Sequence, residues 1–247
     1  MDPAAERAKM VTRLQQRGAI EEPETAAALR SIPRHEFVPD ERQRLAYRDM
    51  PLPIGQGQTI SAPHIVGRMA ELLELDRGDE VLEVGTGCGY HAAVVAEIVG
   101  ATLDDQTSRP VDTDAGGDPR STHDTQRSRQ DTDTAEPSDG RGMVCSVEYD
   151  ATLASQARRR LTRLGYNVQV RNGDGRDGWP EHSPFDHGYL TCAVPEMPDA
   201  VVSQVRPRGY VLAPVGNQIQ TLVRLQVTDS GLEKETFEQV RFVPVQT

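Results

Sequence analysis

The sequence predicts an α/β fold, a doubly wound and mostly parallel sheet with a small helical region ahead of it. Three observations carry that expectation. An apolar strand, Val81-Leu-Glu-Val84, runs into alternate glycines at Gly85, Gly87 and Gly89, and a helical run over 91–99 follows at once. Further strand candidates at 143–150, 167–171 and 185–193 alternate with helical patterns, as βαβ units do. The 247 residues are enough to build one large domain around a real core.

The glycine turn organises the rest. Without a Cβ, its backbone can turn sharply and approach a ligand closely. The helix behind it presents free N–H groups and the positive end of its dipole. Such a turn at the carboxyl end of a first parallel strand reads as a nucleotide-cofactor crevice. Alone it fits nicotinamide dehydrogenases as well as methyltransferases. Two details favour S-adenosylmethionine (SAM). The third glycine comes one residue too early for the G-x-G-x-x-G that wraps a pyrophosphate, and Glu83 would set a carboxylate beside a cationic sulfonium.

Composition narrows the function classes. The net charge of −11 and pI of about 5.0 argue against non-specific nucleic-acid binding. Lys9 and Lys234 are the only lysines, a depletion that suits either a high-salt cytoplasm or a GC-rich genome. Cys88, Cys145 and Cys192 give neither a disulfide framework nor a zinc pattern, so no metal is expected. Neither a signal peptide nor an 18-residue apolar run is visible, and the expected location is the cytoplasm, with no membrane contact.

In chain order, residues 6–29 read as two short helices, Met10, Val11, Leu14 and Ile20 recurring at helical spacing and Pro23 opening the second. They begin a helical extension over 1–50, where His35 reads as a packing residue rather than a catalyst. Residues 46–64 look irregular, rich in Gly and Pro, and long irregular stretches are usually functional. Ser61, just ahead of Pro63, fits a helix N-cap and a substrate-contacting role equally well. His64 reads as a surface group in the first turn of the helix that follows. In 104–142 the only large aliphatic is Val111, and ten acids stand against five arginines. That stretch is expected to be a disordered acidic insertion, because it buries too little to offset its ordering entropy; an acidic interaction segment is the alternative.

With the insertion removed, Glu148 falls about 20 residues past the glycine turn, where an acid at the second strand's end binds ribose hydroxyls. Asp150 can cap a helix carrying Leu153, Ala157 and Leu161 that stops at Gly165. Asp174 and Gly175, at the third strand's end, are expected to hold the adenine edge. The end of the fourth strand, 191–193, should line the transfer site, with Cys192 a small apolar residue. A helix over 195–205 and strands over 209–215, 219–227 and 235–245 complete the pattern.

By this point the chain resembles the protein-L-isoaspartate (D-aspartate) O-methyltransferase family. The likeness runs from Ile32 to the C-terminus apart from the insertion. It rests on residues 51–64 (Pro-Leu-Pro-Ile-Gly-Gln-Gly-Gln-Thr-Ile-Ser-Ala-Pro-His), 81–90, 173–180 (Gly-Asp-Gly-Arg-Asp-Gly-Trp-Pro), 214–220 (Pro-Val-Gly-Asn-Gln-Ile-Gln) and 240–245 (Val-Arg-Phe-Val-Pro-Val). The glycine motif is common to many methyltransferases, whereas Thr59-Ile60-Ser61 is close to diagnostic. The resemblance implies a Rossmann-like SAM-dependent methyltransferase fold, with Ser61 as the active-site serine. The cofactor contacts expected with it are Thr59, Ser61, His64, Glu83, Gly85, Thr86 and Gly87 in the first half of the chain. Glu148, Tyr149, Asp174, Gly175, Thr191 and Gln220 supply the rest.

The acceptor that the resemblance implies is the free α-carboxylate of an isoaspartyl or D-aspartyl residue in a damaged protein. A carboxylate is ionised at neutral pH and needs no general base to attack a sulfonium methyl. The enzyme, expected to act as a monomer, would contribute in-line positioning and exclusion of water. The rival readings are a methyltransferase for small molecules or nucleic acid, and a SAM-binding regulatory module without turnover.

Overall fold

The computed structural model describes residues 2–102 and 141–246. The acidic insertion expected at 104–142 lies outside the described residues except for Arg141 and Gly142.

The chain opens with α1 (Pro3–Gln16), whose first amides are met by Asp2 accepting from the Ala4 N–H at 2.9 Å. A second helix, α2 (Pro23–Ser31), starts on proline, which has no N–H to leave unpaired. Met10, Val11 and Leu14 of α1 and Ala28 and Leu29 of α2 are buried in one cluster with α3 (Pro63–Leu72) and α4 (Tyr90–Val99). The helical extension thereby covers one face of the sheet.

That sheet has seven strands: β3 (Glu80–Val84), β4 (Met143–Glu148), β5 (Val168–Asn172), β6 (His187–Leu190), β7 (Tyr210–Val215), β8 (Gln220–Thr228) and β9 (Gly231–Val240). Their order is β5-β4-β3-β6-β7-β8-β9. The first five of that row run parallel, and β8 and β9 fold back antiparallel. The chain steps outward from β3 to β5, then returns across β3 to β6. That reversal opens a crevice at the carboxyl ends of the central strands. Alternate residues feed two cores, Val81 packing with the helices and Leu82 and Val84 with Val201, Val202 and Val205 on the other face.

Several elements differ from expectation. The stretch 46–64 holds a two-stranded hairpin, β1 (Leu52–Gly55) and β2 (Gln58–Ile60), closed by Gln56 and Gly57 at φ +50° and +71°. Positive φ at both central positions is the twist a two-residue hairpin requires, and Gln-Gly signals it less clearly than Asn-Gly. The helix expected over 195–205 contracts to α6 (Asp199–Val202), because Pro195 and Pro198 cannot donate to a helical ladder. The last strand starts at Gly231 and ends at Val240 rather than reaching 245. Beyond it the chain crosses to Ala193, which donates to the Val243 carbonyl and accepts from the Val245 amide, both at 2.8 Å. The intervening Pro244 has no amide to give a ladder.

The acidic stretch departs and returns far from the crevice. Thr102 bridges Tyr166, and the Gly142 amide donates to the Val99 carbonyl at 3.0 Å, just before β4 begins. Both points lie at the amino ends of the parallel strands.

Candidate active site

The glycine loop is clamped from both sides. Gly85 sits at φ +98°, and a Cβ there would stand 2.5 Å from Thr191 Oγ1. Thr191 follows β6, its amide donating to the Val84 carbonyl at 2.9 Å and its hydroxyl to the Gly85 carbonyl. Only glycine combines that left-handed backbone with so close a neighbour. On the other side, the Gly87 amide donates to Glu148 Oε2 at 2.7 Å, and the Asp150 amide donates to Oε1 at 2.9 Å. Burial raises the Glu148 carboxyl above its ordinary pKa, against the opposing pull of these backbone donors. Asp150 caps α5 (Ala151–Arg163) through the Leu153 amide, as its position predicts.

Opposite the loop stands the hairpin. Ser61 lies between β2 and α3, but the N-cap of α3 is Ala62, with no side-chain cap. Of the two readings open for Ser61, capping therefore falls away. It is half-buried, and its hydroxyl makes no hydrogen bond among the described residues. Ser61 and Thr59 line one open cleft with Gly85, Thr86, Gly87, Glu148, Tyr149, Gly175 and Thr191.

Four residues expected here do not line the cleft. His64 is bonded to Asp49, its Nδ1 2.8 Å and its amide 3.0 Å from Asp49 Oδ1. Burial alone would raise the Asp49 carboxyl, but the bonds from His64 and Arg17 outweigh it and hold the group well below the usual range. Glu83 is wholly buried behind the loop. The register sets Ser146 of β4 and Tyr189 of β6 directly beside it. Both hydroxyls donate to its carboxylate, that of Tyr189 at 2.9 Å, while Thr86 meets the Ser146 hydroxyl from above. Burial pushes the Glu83 pKa up to about 7, with the two hydroxyls pulling the other way and nearby Glu148 adding to the rise. Asp174 is engaged by the Arg176 guanidinium at 2.6 Å, leaving its neighbour Gly175 to form the wall. Gln220 is buried and accepts the Phe242 amide at 2.7 Å, so it acts on the cleft by anchoring the segment that follows.

That segment, 243–246, closes one side of the cleft, and the strand expected there hid its role. Tyr90 and His91 at the start of α4 also line the cleft, as do Cys88 and Cys192. Burial pushes the Cys192 thiol up to about 12, so it stays protonated and unreactive. Among the described residues no cluster of His, Cys, Asp and Glu could hold a metal ion.

Comparison with known proteins decides the family. The model of the protein-L-isoaspartate (D-aspartate) O-methyltransferase family matches residues 5–105 and 135–247, most of the chain. The chain belongs to that family. A relative from Archaeoglobus fulgidus, protein-L-isoaspartate O-methyltransferase 2, is 41% identical over 99% of this chain and 94% of its own length. One from Methanothermobacter thermautotrophicus, protein-L-isoaspartate O-methyltransferase, is 37% identical over 97% of this chain and 94% of its own. A solved protein-L-isoaspartate O-methyltransferase superimposes with a TM-score of 0.77 at 28% identity, covering 98% of this chain, which spans 66% of that one. A Plasmodium falciparum structure solved with S-adenosyl-L-homocysteine gives 0.74 at 18% identity, over 97% of this chain and 98% of that one, a likeness of fold. The family match skips 106–134, the heart of the acidic stretch. No described helix is long and apolar enough to cross a membrane.

Proposed function

We propose that this protein is a SAM-dependent methyltransferase that esterifies the free α-carboxylate of L-isoaspartyl and D-aspartyl residues in damaged proteins. One observation carries the reading. A single cleft joins the Glu148-clamped glycine loop to Thr59-Ile60-Ser61, whose serine hydroxyl makes no hydrogen bond among the described residues.

The residues fit SAM. Glu148 offers carboxylate oxygens where two vicinal ribose hydroxyls would come, and Tyr149 lies next to it. Gly175 keeps the wall flat beside the adenine, since a Cβ there would stand 2.3 Å from Val84 Cγ1. Gly85, Thr86, Gly87 and Thr191 shape the passage towards the hairpin, and Thr59 borders the acceptor side. When bound, SAM supplies an electrophilic methyl on a sulfonium.

Ser61 orients the acceptor carboxylate by donating its hydroxyl proton without giving it up, which a neutral hydroxyl does at no cost in charge. Segment 243–246 and the hairpin exclude water, so the carboxylate is stripped of competing partners. Nothing must be deprotonated, because the acceptor is already an anion at neutral pH. Placement is the whole of the chain's contribution.

Monomeric action in the cytoplasm, without nucleic acid, belongs to the same proposal. The net charge of −11 supports the exclusion of nucleic acid, and the three thiols, all free, suit a reducing compartment. The deciding experiment is methyl transfer from labelled SAM to an isoaspartyl peptide and to its normal aspartyl twin. Transfer to the first alone is expected; equal transfer to both, or to neither, would overturn the function.

A further inference from the structure

A second hollow lies on the helical extension and shares no lining residue with the cleft. It runs between α1 and the 3₁₀ turn over Asp40–Leu45. The backbone there is pinned, the Ala46 amide donating to the Gln43 carbonyl at 3.1 Å and the Arg48 amide to the Leu45 carbonyl at 2.9 Å. Tyr47 is 7% exposed, and its hydroxyl oxygen lies 2.6 Å from His35 Nδ1, which fixes both rings in the wall. Arg13 reaches over from α1 and donates to the Tyr47 carbonyl at 3.3 Å.

The hollow is positive in a chain whose acids outnumber its Lys and Arg residues 38 to 27. Arg13, Arg44 and Arg48 line it, and Glu6 in the same wall is offset by Lys9 at 3.0 Å. Neither Arg44 nor Arg48 makes an ion pair or a hydrogen bond among the described residues. Neighbouring carboxylates are committed elsewhere. Glu36 holds Arg163 at 2.8 Å, Asp40 takes the Gln43 amide group at 3.0 Å, and Asp49 takes Arg17 at 2.6 Å and His64 at 2.8 Å. Three like charges around one concavity repel one another and focus a field that attracts an anion.

The donors narrow the anion. A guanidinium is a planar fork that meets two oxygens at once, and one fork satisfies a planar, singly charged carboxylate. Forks arriving from two separate elements instead suit a tetrahedral group with oxygens on several sides and close to two charges.

We infer that the hollow between α1 and the Asp40–Leu45 turn is a binding site for a phosphate group, held by Arg13, Arg44 and Arg48. The group is either free phosphate or a phosphate monoester. The site is separate from the methyl-transfer cleft and stands whether or not the functional reading above holds.

The test is calorimetric titration of the whole protein with sodium phosphate, and with sodium chloride at equal ionic strength. Wild type is compared with Arg44→Gln, Arg48→Gln and the double variant. Both side chains are exposed and unbonded, so the fold is expected to survive, and thermal unfolding checks it. Each substitution is expected to weaken phosphate about five-fold and the pair about 25-fold, as for charge-assisted bonds at a screened, exposed site. Arg44→Lys, which keeps the charge without the fork, should fall between wild type and Arg44→Gln. A phosphoserine peptide titrated beside its unphosphorylated twin identifies the source. Binding tighter than that of phosphate assigns the group to a modified protein, and weaker or no peptide binding assigns it to a small molecule; either supports the site while the arginine dependence holds. Phosphate bound no better than chloride, or with equal affinity in the double variant, would overturn it. So would two peptides that bind with the same affinity.

Discussion

Glu148 Oε2 accepts the Gly87 amide at 2.7 Å, which makes the acid at the end of β4 and the glycine loop after β3 one mechanical unit. The same carboxylate holds the Asp150 amide through its other oxygen, and Asp150 caps α5. A residue placed to receive ribose hydroxyls therefore also sets the shape of the loop beneath them.

Glu148→Ala is accordingly expected to weaken SAM by roughly 1.5–3 kcal/mol, the range for hydrogen bonds to a charged group, and to lower thermal stability as well. Glu148→Gln keeps one acceptor and should lie between. Calorimetric titration with SAM beside thermal unfolding checks both halves. Unchanged affinity in the alanine variant would remove the ribose assignment.

Ser61→Ala should leave stability unchanged, because Ser61 neither caps α3 nor bonds to any described residue. Turnover of isoaspartyl peptide is expected to fall about 10- to 100-fold, as one hydrogen bond to a carboxylate is lost. Ser61→Asp should be worse, setting a negative charge against a negative acceptor. Steady-state kinetics and SAM binding measured together separate the roles; near-normal turnover in both variants would rule out substrate contact.

Glu83 predicts a pH dependence of stability with a definite sign. Its pKa in the folded protein is raised to about 7 from 4.5, chiefly by burial. The unfolded chain therefore loses this proton first, and the folded state is penalised as pH climbs. The contribution is fully present below pH ~4.5, declines from there to about pH 7, and amounts to some 3 kcal/mol in all. Glu83→Gln should remove that slope, whatever its effect on absolute stability, since the amide keeps only one acceptor for Ser146 and Tyr189. Urea unfolding at intervals from pH 5 to 8 measures it, and equal slopes in the two proteins would show that Glu83 does not titrate there.

Replacing 104–140 by a short Gly/Ser turn is expected to leave the methylation rate within about two-fold. Thr102 and Gly142 bracket the stretch at the amino ends of the strands, while ligands bind outside the carboxyl ends. Loop-closure entropy grows only with the logarithm of length, so stability should hold or rise slightly. Arg141 and Gly142 are kept, because the Gly142 amide is bonded to Val99. A large loss of turnover in a still-folded variant would mean that the stretch reaches the cleft.

What the sequence determined by itself was local. The glycine turn, the helix behind it, the Asp150 cap and the acid at the end of β4 are each written within a few consecutive residues. Backbone sterics and capping act over that range. The family resemblance added Ser61, but the pattern around Pro63 left capping open until α3 was seen to begin on Ala62. The tertiary structure decided everything that depends on register and crossing. Glu83 meets Ser146 and Tyr189 across 63 and 106 residues of chain, and a slip of one residue would send it to the opposite face. The partners of His64 and Gln220, Asp49 and the Phe242 amide, were likewise set by the tertiary structure. The closing segment 243–246 looked like one more strand, because nothing local says where a chain will go once it has left its sheet. Those contacts join parts of the chain that only the packed core brings together, and no periodicity records them.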